Sequence, residues 1–373
     1  MASRLLAQLA SRIAAARDPV EGACLRAQRG IYLARQGKYE QAQAIVDAVR
    51  GEFGARPNAE VTAWISLVEA LTHFYSQPGP KALDRLRRAH ALSRAMSHPV
   101  LVPLCAAWLA HIEFNANRME PMLQYAVEAL RLAQPEHHAA LARVSLVIAD
   151  AFHFAGRFDL AKPWYAAVRE HALAEGDDAM ISAMLHNVAA LRANQVRVAD
   201  AFNETHPEDA RQAYLEAEST RNYDLGIGTL SLSLLIPLVK AQLFMVQGRY
   251  VDAVALYSET LDKDNAENLE RREACFFAER AWCYLQAGEI DAARADAETA
   301  CNRVGYPADA DDVASTHARL AAIFQRFDLH VRAAGHQKAA GEFRLRHAEA
   351  QAELLVRLQI ALSGQTNVPN RKP

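Results

Sequence analysis

The sequence predicts an all-α solenoid of about eight antiparallel helix pairs, and three observations predict it. Alanine supplies 75 of the 373 residues, against 16 glycines and 14 prolines. It is the best helix former, and its small side chain lets helices approach closely. A turn recurs as Gly37-Lys-Tyr39-Glu-Gln-Ala42, Gly156-Arg-Phe158-Asp-Leu-Ala161, Gly248-Arg-Tyr250-Val-Asp-Ala253 and Gly288-Glu-Ile290-Asp-Ala-Ala293. Its alanine extends through weaker copies as the column Ala42, Ala82, Met122, Ala161, Ala210, Ala253, Ala293 and Ala333, at intervals of 40, 40, 39, 49, 43, 40 and 40. Length alone suggests two or three domains of ~150 residues. A period near 40 divides the same chain into repeats instead.

The elements follow in order. Residues 1–20 form a capping helix with Leu5, Leu6, Leu9 and Ile13 on one face. Arg4, Arg12 and Arg17 interrupt its apolar residues, so it is not a secretory signal, although it has the arginine-rich, acid-poor look of a transit peptide. The superhelix covers 21–340, right-handed, its concave groove lined by the first helix of each pair. Each repeat glycine takes positive φ to end a first helix, and the residue two later plugs the wedge where the second helix returns. The column alanine marks the helix crossing. A small residue precedes each glycine by seven (Gly30, Ala149, Ala241, Ala281), with Phe152, Phe244 and Tyr284 three later. Tyr165 and Tyr257 fall four after the column alanine. Pro80, Pro121 and Pro207 open second helices near their first turn, where a lost donor costs little. The tract 51–57 and His206-Pro207 are inter-helix loops, 222–228 is a hinge, and Pro237 kinks a first helix or delays its start. A long helix closes the array at 341–363, and the polar tail 364–373 is expected to be disordered.

At these positions the chain resembles the tetratricopeptide repeat (TPR): small residue, aromatic, Gly-x-aromatic-x-x-Ala, then aromatic. The family repeat is ~34 residues, whereas this one is nearer 40. That departure resembles the longer-helix variant of bacterial signalling and transcription-regulator repeats. A HEAT-like array would match the period without explaining the turn. The stretches His336–Phe343 and His347–Gln359 are similar to the connector helix of bacterial repeat-containing diguanylate cyclases, and Met184–Asn194 to a repeat of their sensors. No GGDEF or EAL sequence is present, so the resemblance implies a sensor or adaptor working through a partner.

The register names inward-facing side chains. Candidate groove residues are Trp64, Phe74 and Tyr75 in repeat two, and His111, Phe114 and Asn115 in repeat three. Repeat four offers Arg143, Asp150, His153 and Phe154, and repeat five His186 and Asn194. Aromatic and hydrogen-bonding groups on one concave face suit a peptide or small ligand. The alternative is that several are core residues. His111, Asp150, His153 and His186 have the residue types of a metal or acid–base set, but no HExxH, GxSxG or phosphate-binding glycine loop accompanies them. Structural histidine is the better reading, and no cofactor is expected. In the last helix Leu345, Ala348, Ala352, Leu355 and Leu362 recur at seam spacing, as for a coiled-coil homodimer; the alternative is an intramolecular cap.

Composition narrows the function classes. There are 41 basic and 44 acidic residues, a net charge of −3, which with no aromatic interleaving around Arg85-Leu-Arg87-Arg88 excludes a basic nucleic-acid binder. Cys24, Cys105, Cys275, Cys283 and Cys301 are odd in number, without a CxxC, and read as buried hydrophobes of a reducing compartment. The most apolar stretch, 230–246, is shorter than the ~20 residues of a membrane span. A cytoplasmic, non-enzymatic scaffold or sensor binding a peptide, protein segment or small ligand is the expectation, its partner a signalling enzyme or regulator. The alternatives are a static assembly factor or chaperone and, more remotely, an enzyme with an unrecognised site.

Overall fold

All four repeat glycines turn through left-handed backbone, with φ of 80° at Gly37, 73° at Gly156, 74° at Gly248 and 86° at Gly288. The computed structural model describes residues 3–76, 79–205, 207–228, 235–261, 272–305, 308–365, 367 and 369. Among them are 17 helices and no strand. The first, Arg4–Ala15 (α1), stands ahead of the array, and the rest form eight consecutive pairs. These are Pro19–Arg35 (α2) with Tyr39–Phe53 (α3), Ala59–Ser76 (α4) with Pro80–Ala95 (α5), Leu101–Asn115 (α6) with Met119–Leu132 (α7), and His138–Phe154 (α8) with Phe158–Glu175 (α9). Then come Asp178–Ala201 (α10) with Pro207–Ile227 (α11), Leu235–Val246 (α12) with Tyr250–Leu261 (α13), Glu273–Ala287 (α14) with Ile290–Arg303 (α15), and Ala310–Arg326 (α16) with His330–Leu362 (α17).

The column works as the register requires. Ala42, Met122, Ala161, Ala253 and Ala293 are fully buried, with Ala82 and Ala210 at 2% exposure and Ala333 at 5%. A Cβ on Gly30 would lie 3.1 Å from Val68 Cγ1, a tight contact that marks the close approach of α2 and α4. The turns without glycine use another device. Asn117 and Asp328, each five residues ahead of a column residue, have φ of 56° and 57°, and Asn203 has 59°. Asn and Asp are the residues that tolerate this region after glycine.

Pro80 and Pro207 open α5 and α11, and Pro121 stands in the first turn of α7. Pro237 does the same in α12, which starts at Leu235; the six positions before it lie outside the described residues. The tract read as a hinge is helical instead. Helix α11 continues through Ile227, and Gly228, with φ of 69°, follows its end.

The chain divides into two compact units. The first is Met1–Met184, Tyr223–Ser231 and Leu354–Pro373; the second is Leu185–Asn222 and Leu232–Glu353. The first has its core where α2, α4, α5 and α6 meet, around Trp64, Leu67, Leu71, Leu86, Trp108 and Leu109. The second is alanine-lined, with Ala278, Ala281, Ala297 and Ala300 packed about Leu320, Ile323 and Phe324.

At the centre of the second unit lies the fully buried Arg197 of α10. It donates to Asn194 Oδ1 at 2.8 Å from Nε, to Glu279 Oε1 at 3.0 Å and to Ser315 Oγ at 2.9 Å, and it pairs with Asp312. Glu279 also accepts from Tyr257 at 2.8 Å and Gln242 at 3.1 Å, so the buried charges satisfy one another.

Helix α17 runs unbroken through Gly335 and Gly341, the two possible breakers between Leu329 and Ser363, since both are exposed and cost only ~1 kcal/mol each relative to alanine. Leu345, Ala348 and Ala352 are exposed, and Leu355 and Leu362 half-buried. The stripe buried within the first unit is the neighbouring one, Leu354 at 2% and Leu358 at 0%, beside an Arg357–Glu120 ion pair of 2.8 Å. Of the tail, residues 366, 368 and 370–373 lie outside the described residues. Asn367 donates to the carbonyls of Leu130 and Ala133 at 2.8 and 3.0 Å.

Candidate ligand cavity

The inner side of the first four repeats encloses a cavity of about 770 Å³, within the range of small-molecule and peptide side-chain pockets. Helix α2 supplies Leu25, Gln28, Tyr32 and Arg35, three or four apart and therefore on one face. Helix α4 adds Glu60 and Trp64, and α6 adds Leu104 and Trp108, each pair one turn apart. The start of α8 and the α9–α10 turn close the far side with His138, Glu175 and Asp177. Helix α1 contributes Leu5, Leu9 and Arg12, so it lies against the cavity instead of merely capping the end of the array.

Trp108 forms the floor. The guanidinium carbon of Arg143 sits 3.7 Å from its ring centroid, and that of Arg35 6.0 Å away. Tyr75 and His111 meet the ring edge-on at 6.3 and 5.6 Å, and Phe74 packs on Tyr75 at 5.0 Å and on His111 at 5.4 Å. Arg35 donates to Asp177 at 2.6 Å. Burial would lower its pKa, but Asp177 and the neighbouring tyrosines outweigh this and raise it. Arg143 is fully buried, and none of its three guanidinium nitrogens has a hydrogen-bond partner among the described residues. Burial pulls its pKa down to about 10. Burial first, then Arg143 and Arg35, hold His111 neutral, its pKa well below the usual imidazole value.

Across the wall, His98 Nδ1 accepts from the backbone N–H of Val100 and Leu101 at 3.2 and 3.1 Å, which fixes the proton on Nε2. Nε2 donates to Glu60 at 3.1 Å. Burial and that same Glu60 push the Cys24 thiol up to about 12, so it is no nucleophile.

The structure groups some of the sequence-named residues and separates others. Trp64, Phe74, Tyr75, His111 and Arg143 gather around Trp108, but Trp64, His111 and Arg143 are buried instead of projecting into an open groove, because the paired first helices close over them. Asn115 is exposed and donates to His111 Nε2 at 3.2 Å. Phe114 and Phe154 are half-buried and meet edge-to-face at 6.4 Å. Asp150 and His153 belong to another buried set, in which Tyr165 donates to Asp150 at 2.9 Å and lies 3.2 Å from His153 Nδ1. His186 and Asn194 fall in the second unit, the former buried and the latter donating to Asp311 at 2.6 Å. The histidines thus enter separate networks. Among the described residues no group of three or more His, Cys, Asp or Glu could hold a metal, and no helix is long and apolar enough to cross a membrane.

Sequence reasoning misses Arg35, Asp177, Tyr32 and Trp108. Trp108 has a visible signal, since it stands three residues before His111 on the same helix face. Arg35 and Asp177 have none, for they meet across 142 residues of chain.

Fold and cavity together define a helical-repeat protein of TPR-like architecture with a pocket on its inner face. No family model matches the chain, and no curated protein matches it. A solved structure, described as a Rap protein complexed with competence and sporulation factor, is similar to it with a TM-score of 0.52 at 13% identity. That match covers 89% of this chain and 99% of the other. At this identity it shows the fold, a TPR-like helical repeat. The likeness to cyclase sensors rests on the quoted residues alone.

Proposed function

We propose that this chain is a non-enzymatic scaffold of bacterial signalling or regulation, which captures a peptide or protein segment on the inner face of its first repeats. The supporting observation is the cavity of about 770 Å³, walled by Trp64, Leu104 and Trp108 and edged by the Arg35–Asp177 pair. Indole faces take apolar side chains of a bound segment, while the guanidinium and carboxylate address its polar groups. The Rap protein of similar fold was solved with a factor bound, which favours binding over catalysis as the use of such an array.

Panning a random peptide library against the immobilised full chain tests the reading. Selected peptides should lose at least about tenfold in affinity, roughly 1.4 kcal/mol, on Gln28→Trp, which fills the cavity from a half-buried position. Gln325→Trp, on an exposed site of the second unit, should leave them bound. Failure to select any peptide, or insensitivity to Gln28→Trp, contradicts it.

A further inference from the structure

The first seventeen residues carry Arg4, Arg12 and Arg17 and no carboxylate. The cavity wall supplied by the rest of the chain has the opposite character: Asp18, Glu21, Glu60, Glu136, Glu175 and Asp177 face a single guanidinium, that of Arg35. Helix α1 is laid along this wall. Three residues separate it from α2, yet its other end meets the α9–α10 turn, where Leu5 N–H donates to the Gly176 carbonyl at 3.3 Å and Arg4 to that of Leu173. It therefore reaches from the first repeat to the fourth. Gly176 has φ of 76°, and a Cβ there would lie 3.2 Å from Arg4 Cβ and 3.3 Å from Leu5 N, so the turn passes close beneath α1.

The charges complement each other locally. Glu175 is raised by burial and by Asp177, and Arg12 is among the charges that oppose the rise. Asp178 is raised in the same way, with Arg4 opposing. The apolar hold is modest. Leu9, at 3% exposure, is the one fully buried side chain of the helix, worth ~2 kcal/mol, and Leu5, Leu6 and Ile13 are half-buried. A twelve-residue helix is marginal by itself. Such a segment is held in place but remains displaceable.

We propose that α1 is a displaceable wall of the cavity, covering acidic residues that would otherwise receive a ligand of the same chemistry: a basic, amphipathic helical peptide without acidic residues, which displaces α1 from them. This rests on the inner-face binding reading and names its ligand class and its regulation.

The probe is a fluorescein-labelled synthetic peptide of residues 1–17, titrated by anisotropy into the full chain and into the full-length variant Leu9→Asp/Arg12→Glu, whose own α1 is loosened. The variant should bind the probe about tenfold tighter than the wild type. Raising salt from about 50 to about 500 mM, or adding Glu136→Gln with Glu175→Gln, should weaken that binding. Arg12→Glu alone changes only an exposed side chain and should give the same direction if the double variant does not fold. Equal affinity in wild type and variants, or equal binding of an acidic peptide, overturns the proposal. If library peptides bind at the cavity while the α1 peptide does not, this inference falls and the binding reading stands. If neither binds, both fall.

Discussion

Two buried arginines show one side chain used in two ways. Arg197 is surrounded by acceptors and holds Glu279 and Asp312 as partners. Replacing it with Met leaves the buried Glu279 carboxylate without its cation, while Asp312 keeps Arg272 at 3.2 Å, and should cost on the order of 3 kcal/mol, read as a fall in the denaturant midpoint. Arg143 lies on the Trp108 face without hydrogen bonds, so Arg143→Met orphans no acceptor and should cost less than about 1 kcal/mol by the same measurement. His111 gives the protein a pH dependence. Its folded pKa lies well below 6.5, so the unfolded chain takes up a proton that the folded chain refuses, and stability falls as pH drops below 6.5. His317, pushed down to about 4 by burial and by His336, adds the same sign in the second unit. Each contributes a slope of about 1.4 kcal/mol per pH unit between its two pKa values. Urea midpoints should therefore fall between about pH 7 and about pH 5, and His111→Phe should flatten the fall. A midpoint independent of pH contradicts this.

Among elements, the helix pair is the unit the sequence specifies most clearly, because its turn and its crossing each demand one residue type. The glycine formula reaches four turns. Asn117 and Asp328 adopt the same backbone conformation without glycine, so only their spacing to the buried column reveals them. Asn117→Ala should cost ~1 kcal/mol more than Asn117→Gly, since alanine resists positive φ and glycine does not. Ala161→Leu would force α8 and α9 apart and should cost ~1–3 kcal/mol or more, with faster amide exchange along those helices. Helix α1 shows where legibility ends. Its pattern places Leu5, Leu9 and Ile13 on one face, but an amphipathic pattern does not say which surface that face will meet. Helix α17 divides its apolar residues between two stripes: Leu354 and Leu358 are buried, and Leu345 and Ala352 are exposed.

For the molecule as a whole, a repeat fold puts stability in nearest-neighbour interfaces and leaves one face of the first helices free for binding. Of the aromatic residues that line the cavity, Trp64 is legible from helix periodicity, whereas Phe74, Tyr75 and His111 pack on one another and on Trp108 outside the lining. The charged edge, Arg35 with Asp177, comes from distant parts of the chain and has no local signature. Hydrogen exchange on the full chain, with and without a library-selected peptide, reads out directly whether this inner face binds a peptide segment. Binding there should add protection in α2, α4 and α6 and speed exchange in α1. Protection confined to other helices, or no change at saturating peptide, would contradict it.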